Sequence, residues 1–352
     1  MKFGTPSLAS WIALAAGLAC IAPPAFAGPD ATPLMSALCR KKSAESVIQS
    51  ASCPWLKGSQ SGEASRGIRR RAEDVDLPRI VSETKILSLL SCEVTLVKAE
   101  TRDPVTGALG QIEFYRYRSV AAVDPLPTVV ISPTAMGNSP NEGTFARALC
   151  NRGMQAFVIK RVPSQWEATA DWSSDENFLK RGESAIRGLA RLSTGPVGVM
   201  GLSLGGVFAS AAAAKDPGIR AVALVASGAP IADFFADTSV GKIKQQREER
   251  MARDNIKTRD AYLTQVKARL RSDPARLWSD AATPRPPVLA IVAGRDKMMP
   301  TPGQRNLAGL LHAEVIEEPG KGHLGTVFTS FFKHGQKIAD FFQDKLGAAA
   351  CD

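Results

Sequence analysis

The chain has 352 residues, with 44 Lys or Arg against 34 Asp or Glu and a formal net charge of +10. Its 44 % hydrophobic content is ordinary for a globular protein, and its length suits one core with an appendage, or two domains at most. The three histidines (His312, His323, His334), with no C-x-x-C and no H-E-x-x-H, exclude the common zinc patterns, and no motif for nucleic acid is present. The basic residues are scattered except for "RGIRRR" (66–71) and the region 242–271, which read as solvated surface rather than as a membrane-binding face.

The first stretch, "MKFGTPSLASWIALAAGLACIAPPAFAGPD", pairs an early lysine with an apolar middle and a small-residue "AFA". That is a secretory signal pattern cut after Ala27, so residues 1–27 are expected to leave and the mature protein to be periplasmic or secreted. Gly17 stands where a lipoprotein signal around Cys20 would carry a large aliphatic residue. Export leaves Cys39, Cys53, Cys92, Cys150 and Cys351, and the sequence-close Cys39 and Cys53 are the first candidates for a bridge. Residues 28–85 form an extension: a short helical piece to about residue 56, then the polar "KGSQSGEASRGIRRRAEDVDL" as a linker.

The pattern changes near Lys85, and the main domain is expected over 86–352. "CEVTLVKAETRDPVTGALGQIEFYRYRS" reads as two β-segments around the turn "DPVTG". Short apolar strands then alternate with helical patterns. The strands are 127–133, 155–161, 196–201, 219–227, 286–294 and 313–320. The helices fall at 142–153, 175–194, 204–216 and 302–312, with a closing helix over 326–346. This rhythm predicts an α/β fold with a mostly parallel, doubly wound sheet. It breaks between Pro230 and Pro284, where the charged "KIKQQREERMARD" and "AYLTQVKARLRSD" are too long for a simple connection. An inserted helical cap over the site is expected at about 230–285.

Within this frame "GVMGLSLGGVF" (198–208) sets G-x-S-x-G between an apolar strand and a small-residue helix. That is the context of a nucleophile elbow: Gly201 and Gly205 permit a sharp turn, and Ser203 projects its hydroxyl above the sheet. A serine nucleophile needs a base and an orienting acid. "VLAIVAGRDKMMP" supplies Asp296 past a strand end, and "GKGHLG" supplies His323 in a glycine-rich loop after the last strand. His312 and His334 read as surface or structural. The oxyanion donors are placed at the backbone amides of Leu204 and of Met136, in the loop "PTAMGNS", with Ala135 as the neighbouring alternative and Gly137 giving turn freedom.

On "GLSLGG", "AGRDKMMP" and "GKGHLG" the region from about Cys92 to Gly347 resembles the α/β-hydrolase superfamily of serine hydrolases, of the esterase- or lipase-like secreted type. One departure is Thr134-Ala135 where the family commonly has His-Gly. The resemblance implies an α/β-hydrolase sheet and two-step acyl transfer on a small-molecule ester, with no cofactor and no metal. The alternatives are a peptidase of the prolyl-oligopeptidase-like branch, a lipase, and a non-catalytic hydrolase-fold binding protein. Residues 28–85 are far too short for the propeller that the peptidase branch usually carries. Phe234, Phe235, Trp278, Trp166 and Trp172 are candidates to line an acyl pocket.

Overall fold

The computed structural model describes residues 75–88, 91–134, 137, 140–161, 171–238, 240–279 and 285–348, all within one compact unit. The signal segment, the Cys39 and Cys53 pair, the basic "RGIRRR" and the loop residues Ala135 and Met136 lie outside the described residues.

Among the described residues, nine strands form one sheet in the order β1-β2-β3-β5-β4-β6-β7-β8-β9. β1 (Arg79–Ser88), β2 (Cys92–Arg102) and β3 (Leu109–Ser119) pair antiparallel, with the "DPVTG" turn between the last two as the sequence predicts. β4 (Thr128–Ser132), β5 (Gln155–Arg161), β6 (Val197–Leu202), β7 (Ile219–Val225), β8 (Val288–Ala293) and β9 (Glu314–Glu318) run parallel to one another. β4, β6 and β8 are buried along their whole length, which is why they read as continuous apolar runs rather than as alternating ones. The sheet begins at Arg79, ahead of the expected boundary at 86: β1 zips onto β2 from the Arg79–Glu100 pair onward, so residues 79–85 are sheet and not linker.

Helices cover both faces. α1 (Pro140–Cys150) and α9 (His323–Ala348) pack on one side, where Phe145, Leu149, Ile338, Phe342 and Leu346 join Val129, Ile131 and Met200. A disulfide between Cys92 and Cys150 ties the start of β2 to the end of α1 in this layer. α2 (Ser173–Ala190), α3 (Leu204–Lys215) and α8 (Thr301–Leu310) pack on the other. The alanines of α3 leave no bulk between helix and sheet: Ala209 and Ala212 are fully buried.

Between β7 and β8 stand α4 (Ile231–Asp237), α5 (Gly241–Arg253), α6 (Arg259–Arg269) and α7 (Pro274–Ser279). They pack into the core. Ile231, Phe234, Phe235, Ile243, Tyr262, Val266 and Trp278 share one apolar cluster with α2 and α3. Phe234, Phe235 and Trp278 are therefore core residues, not the lining of an acyl pocket. Trp278 is fully buried and its indole donates to Ser210 Oγ of α3 at 3.0 Å. Trp172 packs on Tyr262, with the Arg250 and Arg269 guanidiniums near its ring; Trp166 lies outside the described residues.

Charge anchors the insertion. Arg250 of α5 is fully buried and meets Asp175 at the start of α2 at 2.5 Å, while also donating to Ser174 Oγ and the Asp171 carbonyl. Burial works most strongly against its charge, but the hydrogen bond and charge of Asp175, together with Tyr262, outweigh it and its pKa is raised. Glu176 accepts from the amides of Arg271 and Ser272 and from Ser272 Oγ. Arg247 donates to the carbonyls of Ala236 and Thr238 at the end of α4, and Arg259 pairs with Asp237. Of the basic run at 242–271, Arg247 and Arg259 are thus spent inside the insertion and Arg250 on the start of α2.

Candidate active site

In the parallel part of the sheet the chain passes from β4 outward to β5 and returns across β4 to β6. The loops after β4 and β6 therefore open side by side at the carboxyl ends of the strands, where an open α/β sheet has its natural crevice.

β6 ends at Leu202 and α3 starts at Leu204, which leaves Ser203 alone to make the turn. Its φ of 55° and ψ of −123° lie outside the regions that L-residues favour, a strain on the order of 1–3 kcal/mol that surrounding contacts must hold. They come from β7: the Ser203 amide donates to the Val225 carbonyl at 2.8 Å, and Ser227 Oγ reaches the Ser203 carbonyl at 2.8 Å. The glycines fit the tightness of the elbow. A Cβ on Gly201 would lie 2.2 Å from the Gly205 carbonyl oxygen, and one on Gly205 would lie 2.3 Å from those of Ser132 and Pro133.

The loop after β8 carries Asp296. Its amide donates to Thr301 Oγ1 at 3.2 Å, and Thr301 Oγ1 donates to the Ala293 carbonyl at 2.6 Å. The loop after β9 leads to His323, which is the first residue of α9 rather than a loop residue, because the Thr326 amide already bonds the Gly322 carbonyl. The two loops are laced together by Gly294 N–H to the Glu318 carbonyl and Arg295 N–H to the Lys321 carbonyl, both at 2.9 Å.

These supports bring Ser203, Asp296 and His323 into one line. His323 Nε2 lies 2.8 Å from Ser203 Oγ, and Nδ1 lies 2.6 Å from Asp296 Oδ2. Asp296 Oδ1 accepts from the amides of Met298 and Met299 at 2.8 and 2.9 Å. With Asp296 Oδ2 facing Nδ1, the tautomer that fits this line carries its proton on Nδ1 and leaves Nε2 to accept from the serine hydroxyl. All three side chains sit in residues only 6–7 % exposed, where hydrogen bonds and charges act through little water.

Leu204 is the first residue of α3, so its amide is among those with no acceptor inside the helix and stands beside Ser203. Its expected partner, Met136, falls outside the described residues, as does Ala135; the ends of that turn, Thr134 and Gly137, are joined by a 3.0 Å backbone bond, with φ of +89° at Gly137. His334 bonds Glu318 at 2.6 Å and His312 is exposed at the end of α8; neither meets the triad positions. Three supporting residues have no motif to announce them: Ser227, Thr301 and Gln304, whose amide donates to Asp296 Oδ2 at 2.8 Å. Ser227 lies just past the end of β7, whereas Thr301 and Gln304 stand in the first turn of α8, where nothing in the sequence marks them.

The sheet order and the strand–elbow–helix at Ser203 define an α/β hydrolase. The sequence pattern of the alpha/beta hydrolase family matches residues 120–340, and the chain belongs to that family. No curated protein matches it in sequence. Among solved structures it is similar to the acetyl xylan esterase from Paenibacillus sp. R4, at 17 % identity and a TM-score of 0.61 over 82 % of this chain and 96 % of that one. It is also similar to acetyl xylan esterase 1 from Thermoanaerobacterium sp. JW/SL YS485, at 15 % identity and a TM-score of 0.59 over 79 % and 93 % of the two chains. At such identities the likeness is one of fold.

Proposed function

We propose that the protein hydrolyses carboxylic esters through an acyl-enzyme on Ser203. The observation that carries this reading is the continuous contact from Ser203 Oγ through His323 to Asp296, at 2.8 and 2.6 Å. Ser203 Oγ attacks the ester carbonyl carbon while His323 Nε2 takes its proton. Asp296 keeps the Nδ1 tautomer and stabilises the imidazolium. Charge develops on the carbonyl oxygen, towards the Leu204 amide and a second backbone amide, at Met136 or Ala135. The tetrahedral adduct collapses, His323 returns the proton to the departing alkoxide, and an acyl-serine remains. Water then attacks that carbonyl with His323 as base, and the acid leaves as Ser203 recovers its proton. The family and the fold shared with two acetyl xylan esterases support ester over amide substrates. Burial of Phe234, Phe235 and Trp278 removes the residues that a long-chain lipase pocket would have used. The mature protein is proposed to be exported, and the Cys92–Cys150 disulfide suits an oxidising compartment.

The test is hydrolysis of p-nitrophenyl esters from acetate to palmitate, with an amide analogue alongside, by the wild type and Ser203→Ala. Turnover of short esters that falls by about 10³-fold or more in the variant is expected. Turnover that survives the substitution, or appears only on the amide, overturns the reading.

A further inference from the structure

Asp296 is held from behind by a side chain with no part in the proposed reaction. Gln304, on the first turn of α8 and only 1 % exposed, splits its amide nitrogen between Asp296 Oδ2 at 2.8 Å and the Met299 carbonyl at 2.7 Å. Its oxygen accepts from the Ala293 amide at 2.9 Å. One amide group thus bridges the end of β8, the turn after the acid and the acid itself. The oxygen it touches on Asp296 is also the one that faces His323 Nδ1.

We infer that Gln304 is a positioning residue: it fixes the carboxylate plane of Asp296 against His323, and through it the line of the imidazole towards Ser203. This rests on the serine-hydrolase reading above. Without the amide donor, Asp296 keeps its two backbone donors and His323 but loses the constraint on Oδ2. The carboxylate is then free to turn, and the imidazole is no longer held in line with Ser203 Oγ. A glutamate in the same place keeps the bond from Ala293 but presents an oxygen to two acceptors, Asp296 Oδ2 and the Met299 carbonyl. That oxygen is compatible with them only while it carries a proton. As pH rises the introduced carboxyl and Asp296 together give up that proton, and two carboxylates repel where one hydrogen bond stood.

The experiment compares wild type, Gln304→Leu and Gln304→Glu. It reads kcat and KM on p-nitrophenyl acetate and the rate of Ser203 phosphonylation by a fluorophosphonate, each from pH 5 to 9. It also reads the downfield proton resonance of His323 Nδ1–H, assigned by its loss in His323→Ala. For Gln304→Leu, kcat and the phosphonylation rate are expected to fall about tenfold, the order of one hydrogen bond to a charged group, with KM little changed. Gln304→Glu should recover rate at low pH and lose it at high pH, where the wild type holds a plateau. The Nδ1 proton should shift in both. Profiles and a resonance that superimpose on the wild type in folded variants overturn the inference. If Gln304→Leu does not fold, the near-isosteric Gln304→Glu decides alone through its pH profile. If the wild type neither turns over the ester nor reacts with the phosphonate, the reaction proposed for the site fails. The resonance still decides whether Gln304 sets the Asp296–His323 contact: a shift upholds it and none overturns it.

Discussion

The loops that carry Ser203, Asp296 and His323 and the helical insertion over 231–279 are both anchored by buried polar groups, but the groups differ in kind. The loops are held by neutral ones: backbone amides, the Ser227 and Thr301 hydroxyls and the Gln304 amide. The insertion is held largely by charge: Arg250 on Asp175, Glu176 on the amides at 271–272, and Asp273 on the amides of Ala232 and Ala275. Neutral donors fix geometry without titrating, which suits the reaction proposed for Ser203, Asp296 and His323. Charged anchors hold a large, highly basic segment firmly, but each is costly to break because its partner stays buried.

Several substitutions break or sharpen that contrast. The largest effect is expected at the elbow. Gly205→Ala drives a Cβ into the Ser132 and Pro133 carbonyls, which are backbone and cannot turn aside, so a loss of more than about 4 kcal/mol, read as absence of a cooperative melt, is expected. Asp175→Ala leaves Arg250 buried opposite an apolar side chain. About 3–4 kcal/mol of stability should go by urea titration, with Asp175→Asn intermediate.

The third effect is pH-dependent. Burial raises the carboxyl of Asp273 to about 6, against its donors at Ala275, Ala232 and Ile231. Between the ordinary aspartate value and 6 the folded state binds the extra proton, so this group's stabilisation is full below about pH 4 and falls away as pH rises to 6. The loss is on the order of 3 kcal/mol at most. Asp273→Asn should flatten the denaturant midpoint across that window, whereas an unchanged slope would remove Asp273 from the list of titrating anchors. The smallest is Ser227→Ala: the Ser203 carbonyl keeps its bond from the Gly206 amide, so about 1 kcal/mol is expected, with a modest fall in kcat as the elbow loosens.

The same contrast governs how much was legible in the sequence. The strands β4, β6, β7 and β8 announce themselves as apolar runs, and the elbow at Ser203 is recognisable because only glycine fits at 201 and 205. Asp296 and His323 follow from their places after strand ends. The fate of Phe234, Phe235 and Trp278 was not legible: an aromatic reads alike in a pocket and in a core, and only the packing of α4 and α7 on α2 and α3 decides. The bridge between Cys92 and Cys150 spans 58 residues of chain, and nothing local marks either partner. The start of β1 was hidden because an edge strand whose residues are all exposed carries no burial pattern. Gln304 belongs to the same class: its role comes from a contact across eight residues between a turn and a helix, not from any spacing that chemistry demands.

The most direct measurement is the site of attachment of a fluorophosphonate, found by mass spectrometry of peptides from the folded protein at pH 8. A single adduct on Ser203, lost in Ser203→Ala and slowed by orders of magnitude in His323→Ala, is expected if His323 activates that hydroxyl through the contact at 2.8 Å. No adduct on the folded wild type, or an adduct on another residue that persists in Ser203→Ala, would contradict it.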